Sequence, residues 1–113
     1  VLRDPKSIFY SMKSRKSFGY PGYNLDLFID WYKKYFEKFK KIKSKNILYI
    51  QFEKFFLNSK SETKKLSNFL GEKIVYKNFD FIKTEKNLFK AKNFLKVSEM
   101  NKIDKKLKKY IFW

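Results

Sequence analysis

The chain has 113 residues, no Cys and no His, and a formal net charge of +17 from 28 basic and 11 acidic side chains. This length suits one small domain or part of a larger one. The missing residue types exclude a disulfide framework, a thiolate metal site and every catalytic pair that depends on His.

The basic excess has two explanations. It could serve a polyanionic partner, such as nucleic acid, an acidic membrane surface or an acidic glycan. It could also reflect mutational bias in an A/T-rich genome, because only Arg3 and Arg15 of the 28 basic residues are Arg, and Phe occurs 14 times against three Gly. Bias is favoured for most of the Lys residues, since nucleic-acid binders tend to use Arg for bidentate contacts.

The first predicted elements are a strand end and a helix. Val1 and Leu2 resemble the end of a strand, and the sequence before them is expected to be missing. Asp4 is a good N-cap and Pro5 suits the first helical position, so we predict a helix to about Ser17. A loop is predicted over residues 18–22, where Gly and Pro interrupt the pattern.

A long helix is predicted from Asn24 to Ile42. Its apolar residues recur at steps of three and four and form one broad stripe, which predicts a buried face. The stripe comprises Phe28, Trp31, Tyr32, Tyr35, Phe39 and Ile42. Core packing is the favoured interpretation of these aromatic residues.

The second half begins with a predicted strand, Asn46 to Phe52, which is short and rich in β-branched and aromatic residues. Ser59 and Glu62 form a capping-box pattern for a helix that ends at Gly71. Residues 72–93 show no clear pattern. Ser98 is the predicted N-cap of a last helix, whose inner face carries Met100, Ile103, Leu107, Tyr110 and Ile111.

Strands that alternate with helices predict an α/β class, with a partial three-layer unit and parallel strands. Two strands cannot make such a sheet stable alone. We therefore expect further strands before Val1 or on another chain. An all-helical bundle would contradict this prediction.

A candidate anion site lies at the start of the chain. Arg3 is predicted at the carboxyl end of a strand, where ligands of open α/β sheets bind. Its guanidinium could hold a phosphate through two hydrogen bonds. Ser7, Ser11 and Ser14 share one face of the following helix. The alternatives are that Arg3 neutralises a neighbouring carboxylate and that the serines bond to their own helix.

The segment RDPKSIFYSMKSR, from Arg3 to Arg15, resembles the 3'-phosphate-binding segment of the sulfotransferase superfamily. In this family an Arg at a strand end and a Ser eight residues later hold the 3'-phosphate of 3'-phosphoadenosine 5'-phosphosulfate (PAPS). A second stretch, ILYIQFE at residues 47–53 followed by FLG at 69–71, resembles the family's strand ending in Tyr-Glu-Asp and its next helix.

The resemblance implies that residues 1–113 are the C-terminal part of a single sulfotransferase domain with a P-loop-NTPase-like fold. It assigns Arg3 and Ser11 to the 3'-phosphate and places Phe52 beside the nucleotide base, where the family commonly has Tyr. Lys90 and Lys92 stand where many members have an Arg-Lys-Gly loop. A solvated basic stretch is the alternative for these two lysines.

The implied function is transfer of a sulfuryl group from PAPS to a hydroxyl acceptor, of which a carbohydrate is one option, without a metal. The chain has no G-x-x-x-x-G-K pattern and no His. It is therefore expected to hold no catalytic residue and to be inactive alone. We expect a bacterial, cytoplasmic protein without a membrane span or specific nucleic-acid partner. The alternatives are a basic polyanion-binding module and a degraded remnant.

Overall fold

The computed structural model describes residues 1–15, 24–74 and 87–111. Helices account for 71% of these described residues. In chain order they are α1 (Pro5–Ser14), α2 (Leu25–Lys41), α3 (Phe52–Leu57), α4 (Ser59–Leu70), α5 (Lys90–Phe94) and α6 (Val97–Lys106), followed by a 3₁₀ helix, Lys108–Tyr110.

The predicted α/β class is wrong: the described residues form a bundle-like helical protein without strands or a sheet. The two predicted strands meet only in an isolated parallel bridge between Leu2 and Gln51. Its hydrogen bonds run from the Leu2 N–H to the Ile50 carbonyl and from the Phe52 N–H to the Leu2 carbonyl, both at 2.7 Å. Extended backbone needs a partner along its length, and Phe52 already begins α3.

The first two helices follow the sequence pattern closely. The Asp4 side chain accepts the Lys6 N–H and caps α1, with Pro5 at its first position. Asn24 caps α2 by accepting the N–H groups of Asp26 and Leu27. The described part of α1 ends at Ser14, and the predicted loop over residues 18–22 lies outside the described residues.

The core forms where α1 packs against α2, α5 and α6. Burial of the aromatic stripe is confirmed for Phe28 and Tyr32, which are 0% exposed, but is wrong for Tyr35 and Ile42, which are 43% and 46% exposed. The stripe is therefore buried only where α2 crosses the other helices. The buried cluster consists of Phe9, Phe28, Ile29, Tyr32, Ala91, Leu95, Ile103, Leu107 and Tyr110.

The later helix starts differ from the prediction by about one residue. Helix α4 begins at Ser59 after Asn58, without a side-chain cap, so the predicted capping box is absent. Its end is confirmed, because Gly71 adopts the left-handed conformation with φ of 71°. Helix α6 begins at Val97, not after Ser98, and the Glu99 carboxylate accepts the Lys96 N–H at 2.9 Å.

Ion pairs join α6 to α1. Lys6, which is 3% exposed, donates to Asp104 at 2.8 Å. Lys13 donates to Glu99 at 2.6 Å. These contacts orient α1, and with it the segment that carries Arg3.

Candidate anion-binding site

The site begins with the backbone that precedes α1. Leu2 is held by the parallel bridge to Gln51, and α1 begins three residues later at Pro5. Because Asp4 caps α1 and is 0% exposed, Arg3 occupies a fixed position between the bridge and the helix. The sequence pattern around Asp4 and Pro5 correctly predicts this local geometry.

The buried carboxylate of Glu53 binds the backbone that precedes α1. Glu53 is 0% exposed, and its two oxygens lie 3.1 and 3.2 Å from the Asp4 backbone nitrogen, which donates to them. The Gln51 side-chain amide donates to the same carboxylate at 2.7 Å. The Arg3 Nε lies 3.9 Å from Glu53, which makes a loose ion pair. A buried carboxylate surrounded in this way satisfies several donors at once.

Tyr32 fixes the Arg3 carbonyl. Its hydroxyl donates to that carbonyl at 3.0 Å from the middle of α2. Burial raises the pKa of Tyr32 well above its ordinary value, and the nearby carboxylates of Asp4 and Glu53 raise it further. The hydroxyl therefore stays protonated and acts as a permanent donor, which connects the aromatic stripe of α2 to the candidate site.

The Arg3 side chain leaves this anchored backbone and is 37% exposed. Its guanidinium carbon lies 4.9 Å from the centre of the Phe52 ring, within the range of a cation–π contact. The Nε atom is buried and has no hydrogen-bond partner among the described residues. The guanidinium is thus held in place by Phe52 and Glu53, and one of its donors is left unsatisfied.

A polar cavity of about 240 Å³ opens beside this guanidinium. Arg3, Ser11 and Lys90, which the family resemblance assigns to phosphate binding, all line it. Its complete lining is Arg3, Ser7, Tyr10, Ser11, Ser14, Arg15, Asn87, Lys90 and Ala91. The three serines lie on one side of α1, as their spacing predicts. Three basic side chains and several hydroxyls therefore face one small space.

Two of the serine hydroxyls also have partners in the protein. Ser7 donates to the Leu88 carbonyl at 3.4 Å, and Ser14 donates to the Ser11 carbonyl at 3.1 Å. The bond of Ser14 is the helix back-bonding that was the alternative interpretation of these residues. Ser11 is half-buried and lines the cavity beside Arg3, so it remains the serine best placed to contact an anion.

Sequence reasoning missed Arg15. This residue follows the end of α1 and lines the same cavity as Arg3. Both also line an adjoining cavity of about 200 Å³ with Ser11, Ile8 and Met12. Two signals could have identified it: Arg15 is the second of only two arginines in the chain, and it lies four residues after Ser11 on the same helical face.

The remaining candidates lie apart from the polar cavity. Lys92 does not line it, and its ammonium nitrogen lies 5.3 Å from the Phe89 ring centre. Phe52 reaches the site only through Arg3, and its ring also lines a separate apolar cavity of about 220 Å³. The structure thus brings together Arg3, Ser11 and Lys90 but leaves Lys92 outside.

Within residues 1–15, 24–74 and 87–111, no group of three or more Asp, Glu, His or Cys side chains is placed to hold a metal ion. No helix in that part of the chain has the length and apolar character needed to cross a membrane.

Comparison with known proteins gives no relative: no family model, no curated protein and no solved structure matches this chain. The chemistry of the cavity is therefore the basis for assigning a function.

Proposed function

We propose that this chain binds the 3'-phosphate of PAPS, or of its product adenosine 3',5'-bisphosphate (PAP), in the cavity beside Arg3. The observation that carries the proposal is the convergence of Arg3, Arg15 and Lys90 with Ser11 on one polar cavity of about 240 Å³. Guanidinium groups suit a phosphate because they can donate two parallel hydrogen bonds to it. Hydroxyl and ammonium groups add donors without adding a competing acceptor charge.

The anchoring of Arg3 supports tight binding. Its backbone is held by the Leu2–Gln51 bridge, the Tyr32 hydroxyl and the bond from Asp4 to Glu53. A side chain that starts from a fixed backbone loses less conformational freedom when it binds a ligand.

The wider proposal is that the chain belongs to a sulfotransferase that moves the sulfuryl group of PAPS to a hydroxyl, for which a carbohydrate is one option. The helical fold of the described residues does not support the resemblance, so this wider proposal depends on the Arg3 and Ser11 motif and on the cavity. The chain has no His and no G-x-x-x-x-G-K pattern. The groups that bind the 5'-phosphosulfate and remove the acceptor proton would therefore have to come from outside these 113 residues. We propose that the sulfotransferase is cytoplasmic.

Phe52 and Lys92 do not line the polar cavity. Phe52 could contact the adenine base with the face that does not meet the Arg3 guanidinium. Lys92 could reach a phosphate only after leaving the Phe89 ring. We therefore assign the 3'-phosphate to Arg3, Ser11, Arg15 and Lys90 and treat the other two residues as peripheral.

A second candidate function is a binding module for nucleic acid or another polyanion, which the net charge of +17 favours. Such a module would contact phosphates through many exposed lysines, and its affinity would fall steeply with salt. It would not require a half-buried Arg beside a Ser in a cavity. The two functions therefore predict different responses to single substitutions at Arg3.

The test compares PAP with adenosine 5'-monophosphate by calorimetry on the folded chain. PAP should bind roughly tenfold or more tightly, because charged hydrogen bonds to the 3'-phosphate contribute about 1.5–3 kcal/mol each. Arg3→Lys and Arg15→Lys keep the charge but lose the bidentate geometry, so both should weaken PAP binding. The exposed Lys64 lies on α4, away from the cavity lining, so Lys64→Gln is the matched surface control.

Equal affinity for the two nucleotides would count against the site. If Arg3→Lys lowers the melting temperature sharply and leaves PAP affinity unchanged, then the pair with Glu53 is structural and the phosphate assignment is wrong. Binding of duplex DNA with a steep salt dependence, unchanged by Arg3→Lys, would favour the polyanion module.

A further inference from the structure

A larger and chemically different cavity lies at the C-terminal end of α2. It has a volume of about 700 Å³, within the range of roughly 300–1,000 Å³ typical of small-molecule sites. We call it the α2-end groove. Its apolar lining consists of Leu2, Phe36, Phe39, Ile42, Ile47 and Tyr49. None of its lining residues is shared with the polar cavity beside Arg3.

Hydrogen bonds fix the walls of the α2-end groove. The Tyr49 hydroxyl lies 2.9 Å from the Phe39 carbonyl and 3.0 Å from the Ile42 carbonyl. The Phe39 carbonyl lies in the last turn of α2 and also accepts the Ile42 N–H at 3.0 Å, while Ile42 is the residue that follows the helix. A short turn at Ser44, which accepts the Ile47 N–H at 3.2 Å, connects the two walls. The segment after α2 is thereby held next to the helix with the groove between them.

Apolar surface in the groove is open to solvent. Ile42 and Ile47 are 46% and 42% exposed, and both belong to the lining. Burying such side chains under a hydrocarbon group is favourable by about 25 cal/mol for each Å² removed from water. A ligand with an apolar body would therefore have a favourable contribution to its binding free energy that a purely polar ligand lacks.

The charge of the groove determines which polar group the ligand should carry. Lys40, Lys43 and Lys45 line the groove, and no acidic side chain does. Lysine stems can cover apolar surface while their ammonium groups stay in water at the edge. An anionic group at the end of an apolar body would meet these ammonium groups, whereas a cationic group would be repelled.

We propose that the α2-end groove binds a small amphiphilic anion, in which a hydrocarbon chain or aromatic ring ends in a carboxylate or sulfate. The apolar lining receives the body and the three lysines receive the anionic end. This proposal does not depend on the nucleotide site, because the two cavities have separate linings.

The experiment titrates the full chain with decanoate below its micelle concentration and follows isoleucine methyl signals by NMR. Saturable one-to-one binding should shift the Ile42 and Ile47 methyl signals. Octanoate should bind roughly tenfold more weakly, because each buried methylene contributes about 0.8 kcal/mol. Decyltrimethylammonium, with the same chain length and the opposite charge, should bind about tenfold more weakly than decanoate if the three lysines contribute as partly exposed ion pairs do.

Matched variants separate the groove from general adsorption to a basic protein. Ile47→Asp places an anion in the groove and should abolish decanoate binding. Val97→Asp changes another exposed β-branched residue, 67% exposed at the start of α6, and should have no effect. The double variant Lys43→Gln, Lys45→Gln leaves the apolar lining intact and should reduce the preference for decanoate over decyltrimethylammonium.

Any one of the following results would overturn the proposal. One is equal loss of binding in Ile47→Asp and Val97→Asp, with both variants folded by circular dichroism. Another is equal affinity for decanoate and decyltrimethylammonium. The third is a set of methyl shifts that is spread over the molecule. A last one is that the Ile42 and Ile47 signals shift with an acidic amphipathic peptide or on self-association but not with decanoate.

Discussion

The carboxylate of Glu53 accepts the backbone N–H of Asp4 at 3.1 Å, although 49 residues separate the two in sequence. This bond joins the first turn of α3 to the N-cap of α1, and both residues are 0% exposed. It fixes the direction in which Arg3 leaves the backbone. The stability of the chain and the geometry of the candidate site therefore depend on the same buried carboxylate.

Glu53→Gln should lower the free energy of unfolding by about 1–3 kcal/mol, because it weakens charged hydrogen bonds in a buried position. The measurement is urea denaturation followed by circular dichroism. Glu72→Gln is the matched control, since Glu72 is exposed, and this variant should change stability by less than about 0.5 kcal/mol. Equal effects of the two substitutions would mean that the bond to Asp4 contributes nothing measurable.

Tyr32 should make the chain sensitive to alkali. In the folded state burial keeps its pKa far above the ordinary value of about 10, whereas the unfolded chain ionises near that value. The unfolded state therefore binds fewer protons above pH 10. The stability that this tyrosine contributes is fully present below about pH 10 and should fall by at most about 1.4 kcal/mol for each further pH unit.

Tyr32→Phe tests this dependence directly. At neutral pH it should cost about 1 kcal/mol through the lost bond to the Arg3 carbonyl, and its stability should decline less steeply above pH 10. Urea denaturation at several pH values between 8 and 11 provides both numbers. Tyr35→Phe, at an exposed position of the same helix, is the control. An unchanged alkaline slope in Tyr32→Phe would show that the buried hydroxyl does not cause it.

Local sequence signals predicted those elements whose hydrogen bonds are local. The cap at Asp4 and the glycine at Gly71 specify helix ends within a few residues, and the structure has both. A strand needs a partner, and the β-like run from Asn46 to Phe52 gives no information about where one lies. In the described residues it forms a single bridge and then enters α3.

In the candidate site, too, the sequence predicts the residues that are close in the chain but not those that tertiary packing brings there. Arg3 and Ser11 lie on a short local motif, so the sequence could predict them together. Lys90 reaches the cavity only because α5 packs against α1, a contact across nearly the whole chain. Glu53 and Tyr32 act through buried hydrogen bonds to the backbone of Asp4 and Arg3. Such contacts depend on tertiary packing, which residue spacing does not specify.

The Lys13–Glu99 pair predicts an acid-sensitive contact between α1 and α6. Burial alone would raise the pKa of Glu99, but hydrogen bonds from Lys13 and from the Lys96 backbone outweigh it and lower the pKa below the ordinary value. The stability contributed by Glu99 should therefore be present above about pH 4.3, the value of an unperturbed Glu, and be lost as pH falls through the lowered pKa.

A double-mutant cycle with Lys13→Met and Glu99→Gln should give a coupling of about 0.2–1 kcal/mol at pH 7 that disappears in acid. The control is the pair of Lys102 and Asp26, whose side chains are 41% and 70% exposed, against 17% for Glu99. The coupling of this exposed pair should be smaller, because water screens it more strongly. A larger coupling in the control pair would contradict the role of partial burial.

Gly71 provides the last prediction, which concerns backbone conformation alone. Its φ of 71° lies in the left-handed region, and a Cβ placed there would meet no atom within 4 Å. Gly71→Ala should therefore lower the free energy of unfolding by about 1–2 kcal/mol through backbone strain and not through a clash. Gly71→Asn should cost less, because Asn adopts this conformation more readily. The measurement is the denaturation midpoint of both variants. A loss in Gly71→Asn equal to that in Gly71→Ala would show that the side chain, and not the positive φ, causes the destabilisation.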